Sequence, residues 1–233
     1  MKSITINNTK PKVLFFDVNE TLLDLTKMKK HVGKALGGKE ELLSLWFTTM
    51  LHYSLVTSAS GHYKPFGHIG AAALQMVAAN NNITISEEEA RKVIIEAMQN
   101  LPAHPEVKTA LTQLKKAGYT LVAFTNSSND GLKKQFENAE LTDYFDERLS
   151  VEDSGKFKPF TNTYVWGANI MGVKLEECML IAAHGWDVAG ALWAGWRAAF
   201  VSRPGQQIFP LAPKTEIEES DLKKVADILV TYK

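Results

Sequence analysis

The sequence contains a single cysteine and no long apolar segment, and both shortages restrict the kind of protein it can be. One cysteine cannot form a disulfide within the chain, and Cys178 lies in the apolar run Cys-Met-Leu-Ile-Ala-Ala, which predicts a buried thiol. No stretch approaches the roughly 20 apolar residues of a membrane-spanning helix. The first ten residues also lack the apolar run of a signal peptide. We therefore expect a soluble, cytoplasmic protein.

The chain also lacks a net charge, because 26 acidic residues balance 26 basic ones. A balanced charge gives no reason to expect nucleic acid or an anionic membrane as a partner. The chain has 233 residues, 45% of them hydrophobic, which is enough for one large core or for a core with a smaller cap.

The most informative segment runs from residue 13 to residue 24 and reads Val-Leu-Phe-Phe-Asp-Val-Asn-Glu-Thr-Leu-Leu-Asp. Its first four residues predict a buried strand of a parallel sheet that ends at Asp17. Open α/β sheets bind their ligands at the carboxyl ends of such strands, so Asp17 stands where a reactive carboxylate would act. The structural alternative is that Asp17 only caps the turn leading to Thr21.

A long helical stretch follows this first strand. Helical periodicity covers residues 39–57, 68–80 and 86–100, and the third helix opens with Ser86 and Glu89 at the spacing of a capping box. The pattern predicts an insertion of helices immediately after the first strand.

From about residue 104 the chain alternates between strands and helices. Strands are predicted at 119–124, 148–151, 178–183 and 197–202, and helices at 105–118, 130–139, 161–171, 186–194 and 220–230. This order predicts an α/β fold with a doubly wound, Rossmann-like parallel sheet. We expect residues 1–23 and 101–233 to form this catalytic core and residues 24–100 to form a helical cap.

Polar residues follow four of the predicted strands, and a parallel sheet would bring them to one edge. They are Asp17, the pair Thr125 and Asn126, Lys158, and the pair His184 and Asp187. Each has an ordinary explanation: a helix N-cap for Thr125, Asn126 or Asp187, a solvated loop for Lys158, and a structural hydrogen bond for His184. Their joint occurrence favours a functional site.

These segments resemble the haloacid dehalogenase (HAD) superfamily, in which an apolar strand, an aspartate, a tight turn and Thr-Leu form the nucleophile loop. Lys158-Pro159 followed by Tyr164 is similar to a segment of the L-2-haloacid dehalogenases (type II). The stretch Trp186-Asp187-Val-Ala-Gly-Ala and the segment 46–66 also resemble that family. The resemblance covers essentially the whole chain and implies a HAD-like core with an inserted cap.

Carried over to this sequence, the resemblance implies that Asp17 attacks the substrate and forms a covalent ester. Lys158 would keep Asp17 ionised, with support from Asp187, and Thr125 and Asn126 would bind the substrate carboxylate. The other implied substrate-binding residues are Asn19, Phe47, Leu51, Phe66, Tyr164 and Trp186. The resemblance implies no cofactor and no metal, a small 2-haloacid as the only partner molecule, and a homodimer.

Several residues depart from the family pattern. Phe47 stands where better-known members have an arginine thought to receive the halide, Ala182 replaces a serine, and His184 replaces an asparagine. The turn reads Asn19-Glu20 where Tyr-Gly is usual. One interpretation is a loss of activity. The other is a gained pair, in which Glu20 orients His184 and His184 activates water, as in a subgroup with a His/Glu dyad; we favour the second.

Two alternatives to a dehalogenase remain at this point. Most members of the superfamily are magnesium phosphatases, which need an acid where this chain has Asn19 and a carboxylate ligand where it has Ala182. A non-catalytic member that binds a small carboxylate would have lost Asp17 or Lys158, and both are present. We therefore predict hydrolytic dehalogenation of short L-2-haloacids to D-2-hydroxy acids.

Overall fold

The computed structural model describes residues 9–233, and within that range its central feature is a parallel sheet of six strands. The strands are β1 (Val13–Phe16), β2 (Thr120–Thr125), β3 (Glu147–Ser150), β4 (Cys178–Ala182), β5 (Arg197–Val201) and β6 (Ile217–Glu219). Their order across the sheet is β3-β2-β1-β4-β5-β6, and every neighbouring pair is parallel. The predicted doubly wound α/β fold is confirmed.

The functional edge of this sheet lies where the strand order changes direction, between β1 and β4. Both strands are buried along their whole length, which explains why their sequences are continuous apolar runs instead of alternating ones. The backbone N–H of Asp17 donates to the carbonyl of Ile181 at 3.1 Å, so the ends of the two strands stay aligned. Such a switch point leaves a crevice beyond the carboxyl ends of the strands, where α/β proteins bind ligands.

Helices connect the strands and cover the sheet. Five of them lie between β1 and β2: α1 (Thr26–Ala35), α2 (Leu43–Ala59), α3 (Phe66–Asn80), α4 (Glu87–Gln99) and α5 (Val107–Lys116). Four more follow β2 in the described range: α6 (Asn129–Ala139), α7 (Thr161–Ile170), α8 (Gly185–Trp193) and α9 (Leu222–Leu229). No helix of residues 9–233 combines the length and apolar composition needed to cross a membrane.

Two elements were not predicted. Helix α1 carries four lysines and buries only Met28 and Val32 among its longer side chains, so its apolar period is too weak to detect. The sequence predicts no strand after 197–202, but β6 follows it in the structure. Strand β6 is only three residues long and reads Ile-Glu-Glu, which carries no strand pattern.

The predicted cap helices α2, α3 and α4 pack against one another and against the core. Trp46 of α2 donates its indole N–H to the carbonyl of Gly70 in α3 at 2.8 Å, and a Cβ on Gly70 would lie 2.9 Å from Sδ of Met50. Close helix contact therefore depends on the glycine. Helix α4 opens with Ser86 Oγ accepting from the N–H of Glu89, as its N-cap spacing predicts.

The cap is joined to the core by apolar packing and by side-chain hydrogen bonds. One continuous hydrophobic core includes Phe15 of the sheet and Leu74 of α3, and Gln135 of α6 donates to the carbonyl of Met98 in α4 at 3.0 Å. These contacts hold the helices of the insertion beside the strand ends. The domain boundaries at residues 23, 24, 100 and 101 stay a prediction.

Candidate active site

Asp17 is the centre of the candidate site and lies directly after β1, with 4% of its surface exposed. The tight turn brings Thr21 back, and its hydroxyl donates to Oδ2 of Asp17 at 2.7 Å. Thr21 Oγ1 in turn accepts from the backbone N–H of Ala183, beyond β4, at 2.9 Å. Asp17 therefore does more than cap the turn. The hydroxyl of Thr21, held in place by the N–H of Ala183, orients its carboxylate.

Lys158 lies between two buried carboxylates. Its ammonium donates to Asp17 Oδ1 at 2.9 Å, to Asp187 Oδ2 at 2.5 Å and to the carbonyl of Phe124 at 3.0 Å. These three bonds use all the donors of an ammonium group. The alternative of a solvated loop lysine is wrong, because Lys158 is only 1% exposed.

The charged forms of Asp17 and Lys158 are strongly favoured over their neutral forms. Burial acts to raise the pKa of Asp17, but the Lys158 ammonium and the contact with His184 outweigh it and hold that pKa well below its usual range. Burial likewise acts to lower the pKa of Lys158, and the carboxylates of Asp17 and Asp187 reverse this and raise it. Asp17 is therefore an anion with no competing proton at physiological pH.

Asp187 is held by Tyr164 from the neighbouring helix. The Tyr164 hydroxyl donates to Asp187 Oδ1 at 2.6 Å and lies 3.1 Å from the backbone oxygen of Asp187. Burial and the adjacent carboxylate raise the pKa of Tyr164 well above its ordinary value, so the phenol keeps its proton. The structure places Tyr164 behind Asp187, where it orients the carboxylate that orients Lys158. The carboxylate of Asp187 is not a helix cap.

His184 bridges two carboxylates from the nucleophile loop. Its Nδ1 lies 3.2 Å from Asp17 Oδ2, and its Nε2 lies 2.9 Å from Glu20 Oε2. The imidazole is 3% exposed and stacks on Phe47 of α2 and on Trp186 of α8, with ring centroids 5.8 and 5.3 Å away. The cap thus contributes one aromatic wall to the site.

The two carboxylates determine the protonation of His184. Burial alone would lower the pKa of the imidazole, but the hydrogen bonds and charges of Asp17 and Glu20 raise it to about 9. The resting site therefore carries an imidazolium beside Asp17, and both ring nitrogens donate.

Glu20 adopts a backbone conformation that is costly for a residue with a side chain. Its φ angle is +65°, in the left-handed region where glycine is usually found. Non-glycine residues in this region are typically held there by their surroundings and often serve function. Here the backbone oxygen of Glu20 accepts from His104 Nε2 at 3.0 Å, and its carboxylate accepts from Gln206 Nε2 at 3.0 Å.

Asn19 faces away from the nucleophile in this structure. Its Nδ2 donates to Ser127 Oγ at 3.1 Å, and its Oδ1 accepts from Gln135 Nε2 at 2.8 Å. Asn19 therefore ties the nucleophile loop to the loop after β2 and to α6. An amide in this position supplies no titratable proton.

The loop after β2 contributes one free donor. Thr125 Oγ1 accepts from the N–H of Ser127 at 3.1 Å, and Asn126 Oδ1 accepts from the N–H of Lys158 at 3.0 Å. The Nδ2 group of Asn126 is buried and has no hydrogen-bond partner among residues 9–233. The alternative that Thr125 or Asn126 caps α6 is wrong, since Ser128 is the N-cap. A buried, unpaired N–H₂ is the donor that an anionic ligand would complete.

The remaining predicted pocket residues lie on the cap. Phe66 is buried at the start of α3 and packs on Phe157, the neighbour of Lys158, with centroids 5.5 Å apart. Leu51 is partly buried on α2 and packs against the hydrophobic core.

The site offers few oxygen ligands for a cation. Among residues 9–233, no group of three or more His, Cys, Asp and Glu side chains is arranged to hold a metal ion. The ammonium of Lys158 occupies the space between Asp17 and Asp187, and the position five residues before Asp187 carries only the methyl group of Ala182.

Three residues that contact the turn at Glu20 and Thr21 were not predicted: His104, Arg203 and Gln206. They lie in loops after α4 and β5, far from the motif segments in sequence. Only the Pro204-Gly205 pair signals a defined turn there, and a turn signal does not show what the turn contacts.

Comparison with known proteins places this geometry in a family. A model described as a haloacid dehalogenase-like hydrolase matches residues 11–195. (S)-2-haloacid dehalogenase 1 of Pseudomonas sp. (strain CBS-3) is 27% identical over 217 residues, which cover 92% of this chain and 95% of that protein. Haloacetate dehalogenase H-2 of Moraxella sp. (strain B) is 26% identical over 197 residues, covering 84% and 88% of the two chains. A crystal structure of an L-2-haloacid dehalogenase, 25% identical, matches with a TM-score of 0.88 over 95% of this chain and 99% of that one.

Proposed function

The chain belongs to the haloacid dehalogenase-like hydrolases, and within them to the L-2-haloacid dehalogenase family, and from this premise we propose that it hydrolyses short L-2-haloacids to D-2-hydroxy acids. The observation that carries the proposal is the Asp17 carboxylate, which is buried, ionised and flanked by Lys158 and His184. A desolvated carboxylate held between two cations is oriented for nucleophilic attack.

In the first step an oxygen of Asp17 attacks C2 of the substrate in line with the carbon–halogen bond. The new C–O bond forms as the halide leaves with its bonding electrons, so the carbon is inverted and an ester remains. The free N–H₂ of Asn126 supports binding of the substrate carboxylate at this edge of the sheet. Holding both reactants in this geometry can supply several kcal/mol, up to about 7–11 in the best intramolecular cases.

The His184 imidazolium explains how the site manages without the arginine that Phe47 replaces. The substrate is a monoanion and the leaving group is an anion, so a positive charge beside Asp17 favours both. In this chain the positive charge belongs to His184, which follows β4 and lies 3.2 Å from Asp17, whereas the arginine of other members would stand on α2.

In the second step His184 becomes the base. Esterification removes the negative charge of Asp17, one of the two groups that raise the pKa of His184, so the pKa falls and the imidazolium loses its proton to solvent. Glu20 keeps the remaining proton on Nε2, which leaves the lone pair on Nδ1, the nitrogen beside Asp17. Nδ1 takes a proton from water, and the water oxygen attacks the ester carbonyl of Asp17.

The ester then breaks between the carbonyl carbon of Asp17 and the oxygen bound to C2. The hydroxy acid leaves with a proton, and the Asp17 carboxylate is restored. The balance is one haloacid and one water converted to one hydroxy acid, one halide and one proton. General-base help of this type contributes roughly 10² to 10⁴-fold.

A magnesium phosphatase is less well supported. The amide of Asn19 has no proton to transfer and is engaged with Ser127 and Gln135. Lys158 fills the space between Asp17 and Asp187, where a bridging cation would need their oxygens. A phosphate dianion carries twice the charge of a haloacid and would approach Asp17 without the divalent cation that offsets the added repulsion.

The test is halide release from L- and D-2-chloropropionate, run beside hydrolysis of a nitrophenyl phosphate with and without Mg²⁺. We expect halide from the L enantiomer alone, unchanged by EDTA, and no phosphatase activity created by Mg²⁺. Turnover of the phosphate ester only with Mg²⁺, and no halide from either enantiomer, would replace the proposal by the phosphatase. Binding of L-2-chloropropionate without halide release would indicate the non-catalytic alternative.

The homodimer and the cytoplasmic location remain proposals. Exposed apolar side chains on α2, including Leu45, Leu55 and Val56, support self-association through the cap. Sedimentation of the protein with and without a Leu55→Asp substitution tests this, and a monomer of the unaltered chain at micromolar concentration would contradict it.

A further inference from the structure

We propose that Gln206 is a positioning residue for the Glu20–His184 pair. The four-residue turn Arg203–Gln206 places its side chain beside Glu20. The inference deepens the proposed function, on which its kinetic part rests. Gln206 lies beyond β5 and does not contact Asp17 or His184, so its action passes through Glu20.

The turn that carries Gln206 is encoded by its own sequence, Arg203-Pro204-Gly205-Gln206. The N–H of Gln206 donates to the carbonyl of Arg203 at 2.9 Å, and Gly205 has a φ angle of +87°. Proline in the second position and a left-handed glycine in the third are the signature of a type II turn. The turn therefore presents Arg203 and Gln206 in a fixed relation.

Both ends of the turn contact the nucleophile loop. Arg203 is buried, and its Nη2 donates to the carbonyl of Thr21 at 2.8 Å and pairs with Glu106 at 2.7 Å. Gln206 Nε2 lies 3.0 Å from each carboxylate oxygen of Glu20. One end of the turn thus holds the backbone after Glu20, and the other end holds the Glu20 side chain.

The start of α8 also contacts the loop after β5 that carries Gln206. A Cβ on Gly185 would lie 2.2 Å from the carbonyl oxygen of Gln207, so the loop backbone rests directly on the residue after His184. This close backbone contact links the loop that carries Gln206 to the start of α8, next to His184. Glu20 accepts hydrogen bonds from both Gln206 and His184.

Glu20 needs such a restraint because its geometry is not intrinsically stable. Its backbone is in the left-handed region, and its carboxylate could rotate about χ3 without external donors. Gln206 bonds both oxygens, while His184 Nε2 bonds only Oε2. The amide therefore fixes the carboxylate plane that sets the tautomer and direction of His184.

The structure predicts which step depends on this restraint. Nucleophilic attack uses Asp17, Lys158 and the positive charge of His184, and Gln206 contacts none of these groups directly. Ester hydrolysis uses the oriented lone pair of His184. Loss of the amide should slow ester hydrolysis and spare ester formation.

The experiment compares Gln206→Met with Gln207→Met. Methionine matches the length of glutamine and cannot donate a hydrogen bond. Gln207 is the adjacent, exposed glutamine and meets Gly185 only through its backbone oxygen, so its substitution is the matched control. Gln206→Asn, which keeps the amide on a shorter side chain, is the second variant.

The first readout needs no activity: an NMR titration of the His184 imidazole in the substrate-free proteins. The charged and titratable groups around the pair are Asp17, Glu20 and Lys158, with His104 and Arg203 below the turn. With Glu20 less fixed, the pKa of His184 should fall below that of the unaltered protein in Gln206→Met, and stay unchanged in Gln207→Met. An equal pKa in all proteins would overturn the proposal whether or not the chain is a dehalogenase.

The second readout is rapid-quench halide release from L-2-chloropropionate. Gln206→Met should keep the first-turnover rate, lower the steady-state rate about 10-fold, below the roughly 10² to 10⁴-fold of a general base, and accumulate the Asp17 ester. Gln206→Asn should fall between Gln206→Met and the unaltered protein. An equal loss in both phases would show a general structural role and overturn the proposal. Absence of halide from the unaltered protein would instead overturn the proposed function, and the titration would still decide the role of Gln206.

Discussion

Nδ1 of His184 lies 3.2 Å from Oδ2 of Asp17, which makes the candidate nucleophile and the candidate base direct neighbours. While Asp17 is a carboxylate, this contact keeps His184 protonated, since it contributes to raising the pKa to about 9. Once Asp17 is an ester, the same contact places an unprotonated nitrogen next to the carbonyl that water must attack. The chemical state of Asp17 therefore decides whether His184 acts as a cation or as a base.

Asp17→Asn should abolish steady-state halide release, by more than about 10³-fold, because an amide is a poor nucleophile. The fold should persist, since Lys158 keeps Asp187 and the Phe124 carbonyl as partners. Circular dichroism provides the check on folding, and mass spectrometry provides the check against deamidation back to Asp17. Substantial turnover by the folded, undeamidated variant would rule out the covalent route.

The pH dependence of stability should report on His184. Its pKa is about 9 in the folded chain and near 6.5 when unfolded, so the folded state holds the proton more tightly. The resulting stabilisation is complete below about pH 6.5 and is lost as the pH rises toward 9, with a total on the order of 3 kcal/mol. Urea unfolding at several pH values measures it, and His184→Gln should lack this part of the slope. Parallel curves for the two proteins would contradict the assigned protonation state.

Glu20→Gly and Glu20→Ala separate backbone strain from function. Both lose the carboxylate that orients His184, so both should slow ester hydrolysis to a similar extent. At a φ angle of +65°, however, glycine avoids the steric cost that alanine retains, and Glu20→Gly should be the more stable by about 1 kcal/mol. Chemical denaturation of the two variants provides the comparison. Equal stability would mean that the turn relaxes when the carboxylate is removed.

The fold was predictable because its strands are short apolar runs that end at polar residues. Val13–Phe16 and Cys178–Ala182 both show this pattern, and both are central strands of the sheet. Helix α1 and strand β6 were not predicted, because tertiary contacts select them more than local pattern does. Met28 and Val32 are too few to define a helical period, and Ile217 is the only apolar residue of β6.

The central residues of the site were predictable from motif order, and their surroundings were not. Asp17, Lys158 and His184 converge because the carboxyl ends of parallel strands meet at one edge. The orientation of Asn19 toward Ser127, and the role of Tyr164 behind Asp187, depend on side-chain packing that sequence spacing does not encode. Gln206 reaches Glu20 across 186 positions of sequence, with no local signal that links them.

The most direct test of the account is the state of Asp17 in the His184→Ala variant after mixing with L-2-chloropropionate. The first step keeps Asp17 and Lys158 and should still release up to one equivalent of halide, more slowly because the positive charge of His184 is lost, while hydrolysis should slow by roughly 10² to 10⁴-fold. Mass spectrometry of the peptide that contains Asp17 should then show the added mass of the ester, and Glu20→Gln should accumulate less of it. Normal steady-state turnover by His184→Ala, with no mass added to Asp17, would show that another group activates the water and would contradict the roles of both His184 and Glu20.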